Sequence, residues 1–570
     1  MTDASDRWQG RALLRHFRIC RWVSEYRVAW LRHDIVAGMT LSAYAIPVSL
    51  AYAGLAGLPL QVGVYGYLLG GLGYALLGAS RQLAVGPTSA ISLMIAATVA
   101  EMAGADAQRY AQIASLTGFT VAALCAIAWA LRLSVLVRLI SDSILIGFKA
   151  GAGLTIAMTQ LPSLLGVVGG GHNFFERAAL LAGQIAETRF LVFAVSLIAI
   201  VLLLLGERFL PGRPVALAVL VLSIIAASLF GLPGYGVPTT GEIPAGLPSL
   251  GGPALRLRDI EGIFPLAAGC LLLAYIESIS AVRTFAAKHG YTVDPRQEFL
   301  GLGAANLAAA IGHGYPVAGG LSQSAVNDKA GAQTPLALVI ASMTLALCLL
   351  FLTGLLQGLP KAVLAAVVLT AVLGLMDLPA LLQMRKVSPL DFYAATIALC
   401  AVLLLGILQG ILLAALVSIL MLIGRASRPH VAILGRIPGT NLYSDLDRHP
   451  ENETLNGVVA FRPETSLIYI NADAVLDTVL NHVRLADGPK TVICDLSASP
   501  YIDLAGSRML HKLHSELNPH GIALRIVGAH GSVRDLLRAD GMSEKVGALG
   551  REVTLVSLLE GIGSKSGKVL

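Results

Sequence analysis

"GYPVAGGLSQSAVNDKAGAQTP", Gly314 to Pro335, lies between two strongly apolar stretches and has no apolar run of its own. Ser322, Gln323, Ser324, Asn327, Asp328 and Lys329 follow Gly319 and Gly320, where lipid or packed protein would surround them. "AVGPTSAIS", Ala84 to Ser92, has the same texture. Glycine and proline interrupt a continuous helix, and small polar residues suit a helix start. Each stretch therefore reads as a short extended run that opens a half-helix inside the membrane. Two half-helices meeting head to head would aim unpaired backbone N–H groups and two positive dipole ends at one point, which is an anion site. Each terminus should contribute about 0.3–1 kcal/mol, and up to ~2 kcal/mol when partly buried.

Composition puts these stretches in a membrane protein. The 570-residue chain is 55% hydrophobic and 13% charged, with a mean hydropathy of +0.73, whereas soluble domains carry about 25% charged residues. Spanning segments are expected near 35–54, 62–79, 88–101, 110–131, 140–163, 189–206, 214–231, 262–283, 297–312, 321–331, 335–356, 361–379, 390–406 and 409–424. The two interrupted segments are the third and the tenth. Seven segments separate them, so the second half is expected to be inverted relative to the first, and matched interruptions in inverted halves point to a transporter's binding site.

Arg7, Arg11, Arg15, Arg18, Arg21, Arg27 and Arg32 crowd the first 33 residues, with no apolar signal region, so the N-terminus is expected in the cytosol. Arg138, Arg213 and Arg256 are among the loop charges used to thread the chain from there. An even number of crossings then brings the C-terminal region to the same side. The expected organisation is a cytosolic arm over 1–33, a transmembrane domain over 34–424, a linker and start of the cytosolic region over 425–455, a small α/β domain over 456–562 and a tail over 563–570. Strands are expected at Gly457 to Phe461, Leu467 to Ile470, Thr491 to Asp495 and Ala523 to Val527, alternating with helices at Ala472 to Val483 and Leu504 to Leu513.

The net charge of +6 is spread over the arm and inner loops, as orientation requires, which speaks against a nucleic-acid partner. The six cysteines are scattered without CxxC spacing, which speaks against a zinc site or a disulfide framework. The tail "GIGSKSGKVL" lacks the first glycine and the hydroxyl residue of a phosphate-binding loop, at Ile562 and Val569. No enzyme chemistry and no cofactor are expected.

"DIVAGMTLSAYAIPVSLAYAGLAGLPLQVGVY" from Asp34, "LAVGPTSAISLM" from Leu83 and the run from Glu277 through Pro335 resemble the SulP sulfate permease family, solute carrier family 26-like. "TVICDLSASPYIDLAGSRML" from Thr491 resembles the STAS domain those proteins carry. The resemblance implies an α-helical, UraA-like fold of seven plus seven inverted segments divided into core and gate domains. It also implies elevator motion and a homodimer in the cell's inner (plasma) membrane. Segments 1, 3, 8 and 10 would build the site, which places Tyr52, Thr88, Ser89, Leu321, Ser322, Gln323 and Ser324 around the anion and Glu277 as the coupling group. Three positions depart from the family pattern: Val48 after Pro47, Gln323 where many relatives carry arginine, and Ala281 where sodium-coupled relatives pair a threonine with the segment 8 carboxyl.

An ionisable side chain as deep as Glu277 costs a few kcal/mol unless it is paired or protonated, and desolvation favours the protonated carboxyl, so a coupling proton is preferred to sodium. Lys149 is expected to snorkel to the interface beside Asp142, with supply of positive charge to the site as the alternative. Asn327, Asp328 and Lys329 are expected in a solvated loop. Asp503 is followed by Leu504 and Ala505, which have no hydroxyl to phosphorylate, so the STAS domain is expected to serve regulation or dimer contacts. The expected function is secondary transport of a small anion, sulfate first, with protons. Bicarbonate or dicarboxylate transport and a non-transporting anion sensor are the alternatives.

Overall fold

The computed structural model describes residues 21–566 except 25, 105, 134–140, 172, 211–213, 253–256, 374–375, 487 and 548. The arm before residue 21, Arg138, Arg213, Arg256 and the tail residues Gly567, Lys568 and Val569 lie outside the described residues. The chain divides into two compact units between Ser418 and Ile419.

A helix coincides with every expected segment of the first unit. In order these are α1 (Leu31–Leu55), α2 (Leu60–Leu77), α3 (Ser89–Ala103), α4 (Ala107–Ala130) and α5 (Asp142–Leu165). After the short α6 (Phe174–Gln184) come α7 (Phe190–Phe209), α8 (Val215–Leu229), α9 (Leu257–His289), α10 (Pro295–Ile311), α11 (Leu321–Lys329), α12 (Leu336–Phe351) and α13 (Lys361–Leu373). After the short α14 (Leu378–Val387), α15 (Pro389–Leu405) and α16 (Ile407–Ser427) complete the set. Neither α6 nor α14 was expected. The first is capped by Asn173, whose Oδ1 accepts from Glu176 N–H at 2.9 Å. The second is capped by Asp377, whose Oδ1 accepts from Ala380 N–H at 3.0 Å. At 11 and 10 residues both are too short to span.

The packing repeats when each spanning helix is exchanged for the one seven segments away. Helix α1 packs on α12 as α9 packs on α4, and α5 packs on α15 as α13 packs on α7. Helices α1–α4 and α9–α12 form one group; α5, α7, α8, α13 and α15 form the other. Burial separates bundle interior from lipid-facing rim: 67% of the most apolar part of Val28–Leu55 is buried, against 22% of that in α7.

Asp34 shows why an acidic residue stands at the start of α1. Its side chain is fully buried, Oδ1 accepting from Gln333 N–H at 2.7 Å and Thr334 N–H at 3.1 Å, and Oδ2 from Thr334 Oγ1–H at 2.7 Å. This joins α1 to the turn before α12. Asp34→Ala would leave those donors unpaired and is expected to cost about 3 kcal/mol. Thermal unfolding of detergent-purified protein checks this; an unchanged midpoint would show that the turn is held by other contacts.

The second unit is a sheet with helices. Its strands β3 (Val431–Arg436), β4 (Tyr443–Asp445), β5 (Val458–Pro463), β6 (Thr491–Asp495) and β7 (Ala523–Val527) lie in the order β4-β3-β5-β6-β7, with β5, β6 and β7 parallel. The stretch 425–455, read as a linker and the start of the cytosolic region, supplies β3 and β4. Leu467 to Ile470 is not a strand: only Leu467 bridges, to Ile502, and the chain then turns as Asn471 Oδ1 accepts from Ile468 N–H at 2.9 Å. Helices α17 (Ala472–Leu485) and α18 (Leu504–Leu517) lie where expected. Asp503 caps α18, Oδ1 accepting from Gly506 N–H at 2.9 Å, while Oδ2 accepts from Tyr469 N–H at 2.8 Å.

Candidate functional site

Two short strands, β1 (Val85–Gly86) and β2 (Ala318–Gly319), cross antiparallel in the first unit, with Val85 opposite Gly319 and Gly86 opposite Ala318. Gly86 is required at this crossing, because a Cβ there would stand 2.2 Å from the Tyr67 ring. Asn306 fixes the approach to β2 from α10, accepting from Val317 N–H and donating to Val317 C=O, each at 3.0 Å. Ser278 on α9 accepts from Gly319 N–H at 2.9 Å.

Each strand runs directly into a half-helix, β1 into α3 and β2 into α11. The cap residues Thr88 (φ −126°, ψ 151°) and Gly320 (φ −97°, ψ 139°) are extended, the Thr88 side chain does not cap its helix and Gly320 has none to do so. The first-turn amides at Ser89, Ala90 and Ile91, and at Leu321, Ser322 and Gln323, therefore have no intrahelical acceptor. Both helices begin at the crossing and run away from it, so their positive ends share one place.

A cavity of about 240 Å³ opens there. Its wall includes Tyr52 from α1, Thr88 and Ser89, Glu277 from α9, and Leu321, Ser322 and Gln323. Seven of the eight expected site residues thus come together. The eighth, Ser324, is absent from the wall. It is fully buried, its Oγ accepting from Ala84 N–H at 2.9 Å and donating to Gly320 C=O at 2.7 Å, so it holds the two half-helices in register. Gln323 also bridges them, Nε2 donating to Pro87 C=O at 2.9 Å. Since a carbonyl can only accept, this bond fixes the amide orientation, and Gln323 Oε1 is left buried without a donor. Thr88 Oγ1 is likewise buried and unpartnered.

Seven wall residues lie outside that expected set, Ile146, Ser280, Gly320 and Ala371 among them, and the other three bear polar side chains. Tyr44 comes from α1, Lys149 from α5, and Asp377 from the cap of α14. Lys149, read either as snorkelling beside Asp142 or as supplying positive charge to the site, lies on the cavity wall. The solvated loop expected at Asn327 to Lys329 is instead the last turn of α11. Asn327 is fully buried and donates from Nδ2 to Gln82 C=O at 3.0 Å. Asp328, 8% exposed, receives Lys288 Nζ at 2.6 Å and His289 Nε2 at 2.5 Å from the end of α9. A second intramembrane carboxyl, Glu298 on α10, is fully buried away from this cavity and accepts from Tyr74 Oη–H at 2.9 Å.

A larger cavity of about 850 Å³ lies farther along the same helices, reached by Ala51, Leu93, Met158 and Ala365. It contains neither half-helix terminus and reads as an approach to the site.

Residues 31–398 match the model of the sulfate permease family, and residues 449–555 match the STAS domain. A probable sulfate transporter of Mycobacterium tuberculosis is 33% identical over 92% of this chain and 94% of its own length. The chloroplastic sulfate transporter 4.1 of Arabidopsis thaliana is 30% identical over 93% of this chain and 80% of its own. Among solved structures, the murine solute carrier 26 family member A9 anion transporter, inward-facing, superposes with a TM-score of 0.83 at 21% identity, covering 94% of this chain and 92% of that one. The transmembrane domain of the cyanobacterial bicarbonate transporter BicA gives 0.59 at 22% identity, over 69% of this chain and 98% of that one. The chain is a multi-pass membrane protein that belongs to the sulfate permease family and carries a C-terminal STAS domain.

Proposed function

We propose that this protein is a secondary active transporter of small anions, sulfate first, which enters with a proton carried by Glu277. The observation that carries the reading is the convergence of two half-helix N-termini on one cavity beside an intramembrane carboxyl. An oxyanion there would accept from the free amides of Ser89 to Ile91 and Leu321 to Gln323, and from Thr88 Oγ1–H. Since a water occupies about 30 Å³, the 240 Å³ cavity has room for such an ion with part of its hydration.

Glu277 lies on α9, in the same rigid group as the half-helices. A charged carboxylate beside an anion is repulsive, whereas a neutral carboxyl removes the repulsion and can donate. The site thus favours an anion and a proton together. The other titratable groups facing it are Lys149, Asp377, Tyr44 and Tyr52. Access to the two sides would alternate as one helix group slides past the other. Two observations favour this elevator motion. Both cavities lie along the seam between the groups. Among the described residues, the side-chain hydrogen bonds between spanning helices stay within one group, as in Ser342 Oγ to Leu68 C=O and Ser196 Oγ to Leu164 C=O, each at 2.8 Å. Termini in the cytosol and a homodimer, with the STAS domain as its regulatory part, complete the reading.

Purified protein in liposomes, given labelled sulfate under an imposed pH or sodium gradient, tests it. Uptake should rise with an inward proton gradient and ignore sodium. Glu277→Gln, neutral at every pH, should retain sulfate counterflow but lose acceleration by the proton gradient. An unchanged pH response in that variant removes Glu277 from coupling; uptake of bicarbonate or succinate with sulfate excluded would reassign the substrate.

A further inference from the structure

Among the described residues, Lys149 is the one basic group on the wall of the cavity, and it makes neither a hydrogen bond nor an ion pair within 4.0 Å. Its direction follows from helix geometry. Helix α5 meets α15 through Gly147 and Gly151, where an added Cβ would stand 1.9 Å from Ala395 O and 2.9 Å from Leu399 O. Residue 149 is two positions from each glycine, and at about 100° per residue it faces about 200° away from both, on the side of α5 opposite α15. The side chain is thus directed off the α5–α15 contact and onto the cavity that Glu277 and the half-helix termini line from the other group. Asp142, its snorkelling partner in the sequence reading, is two turns, or about 10 Å, back along α5 and exposed. Asp377 is engaged as the cap of α14.

An ammonium without a hydrogen bond or close ion pair in a membrane-spanning helix is costly, and such residues ordinarily face a partner or a pathway. The opposite wall offers amide donors, which hold an anion's oxygens, Gln323 Oε1, a buried acceptor with no donor, and the Glu277 carboxyl, which feels the charge of Lys149 without an ion pair within 4.0 Å. None of those donors carries a full positive charge. With Glu277 ionised the wall's formal charge is negative, and with Glu277 protonated it is balanced by Lys149 against Asp377. A singly charged anion can be held by the amides and dipoles alone. A doubly charged one gains about twice as much from a fixed cation as a singly charged one does, and among the described residues Lys149 supplies the one on this wall.

We propose that Lys149 is a specificity-determining residue: its ammonium bonds the anion from the α5 side, opposite the termini of α3 and α11, and sets a preference for a doubly charged oxyanion over a singly charged anion. This rests on the transport reading above. Because α5 belongs to the other helix group, the bound anion is shared between the two groups, and the grip on a dianion depends on their relative position.

The test is equilibrium binding of labelled sulfate, competed by unlabelled sulfate or nitrate, to detergent-purified full-length protein and to Lys149→Gln and Lys149→Arg, each with its thermal midpoint measured. A hydrogen bond to a charged group is worth about 1.5–3 kcal/mol, so Lys149→Gln should weaken sulfate about 10- to 150-fold. Nitrate should weaken by a smaller factor, and Lys149→Arg, which keeps the charge, should stay within about tenfold for sulfate. Sulfate affinity unchanged in a folded Lys149→Gln overturns the proposal. Equal weakening of sulfate and nitrate also overturns it, since it assigns Lys149 a general structural role. Absence of sulfate binding by the parent protein itself would instead refute the substrate reading on which the proposal rests.

Discussion

Ser322→Trp is expected to bring sulfate uptake down to the level of protein-free vesicles, with the protein still folded. Ser322 is the second residue of α11 and is exposed on the wall of the 240 Å³ cavity. An indole buries 150–250 Å² of surface when enclosed, and here the enclosing space is the site itself. The ring would stand over the amides of both half-helices and exclude the anion and its water. Since it enters a void, the strain of overpacking a filled core does not apply, and the thermal midpoint should move by only a few degrees. Ser322→Ala separates two roles of the same residue. It removes the hydroxyl but keeps the backbone N–H, so a site built on amides should lose only a few-fold in affinity. Undiminished uptake by Ser322→Trp would mean that the anion does not pass the end of α11.

Much of this could be read before any coordinates. The helix order, the inversion and the two interrupted segments follow from composition, because a membrane tolerates glycine, proline and serine at midplane only where protein or a cavity covers the backbone. Thr88, Ser89, Leu321 and Ser322, which the family resemblance places at the starts of these two segments, line the cavity because the backbone there sets their position. Roles that depend on a distant partner could not be read in this way. Asp34 and Asp328 look like ordinary polar residues at helix ends until Thr334, Lys288 and His289 are brought to them. Ser324 differs from Ser322 only by falling on the buried side of α11, where Ala84 N–H needs an acceptor. In the STAS domain, β4 is three residues long and gives no alternation to detect, whereas the parallel strands β6 and β7 were predicted to the residue. The orientation of Lys149 was hidden for a further reason. Along α5 it sits among apolar and small residues on every side, so periodicity gives it no face. Only the closeness of α15 to Gly147 and Gly151 assigns one.

That closeness is itself open to a decisive test. Gly147→Val is expected to prevent stable folding, and Gly147→Ala to lower the thermal midpoint strongly. A Cβ at Gly147 meets Ala395 O at 1.9 Å and its carbonyl carbon at 2.5 Å. Both are backbone atoms inside a helix, so no side chain can rotate away and the helices themselves must part by more than about 1 Å, given that non-bonded atoms rest near 3.5 Å. Separation would forfeit dispersion contacts along the whole α5–α15 seam, in a setting where small residues and close backbones provide much of the attraction between helices. Overpacking alone costs about 1–3 kcal/mol for side chains that can adjust, and this contact cannot adjust. Gly183 in α6 supplies the control. An added Cβ there meets nothing within 4 Å, so Gly183→Ala should be neutral or gain up to about 1 kcal/mol through reduced freedom of the unfolded chain. Equal midpoints for the two alanine variants would show that α5 and α15 stand farther apart than described. The geometric reason for turning Lys149 onto the anion would fall with that contact.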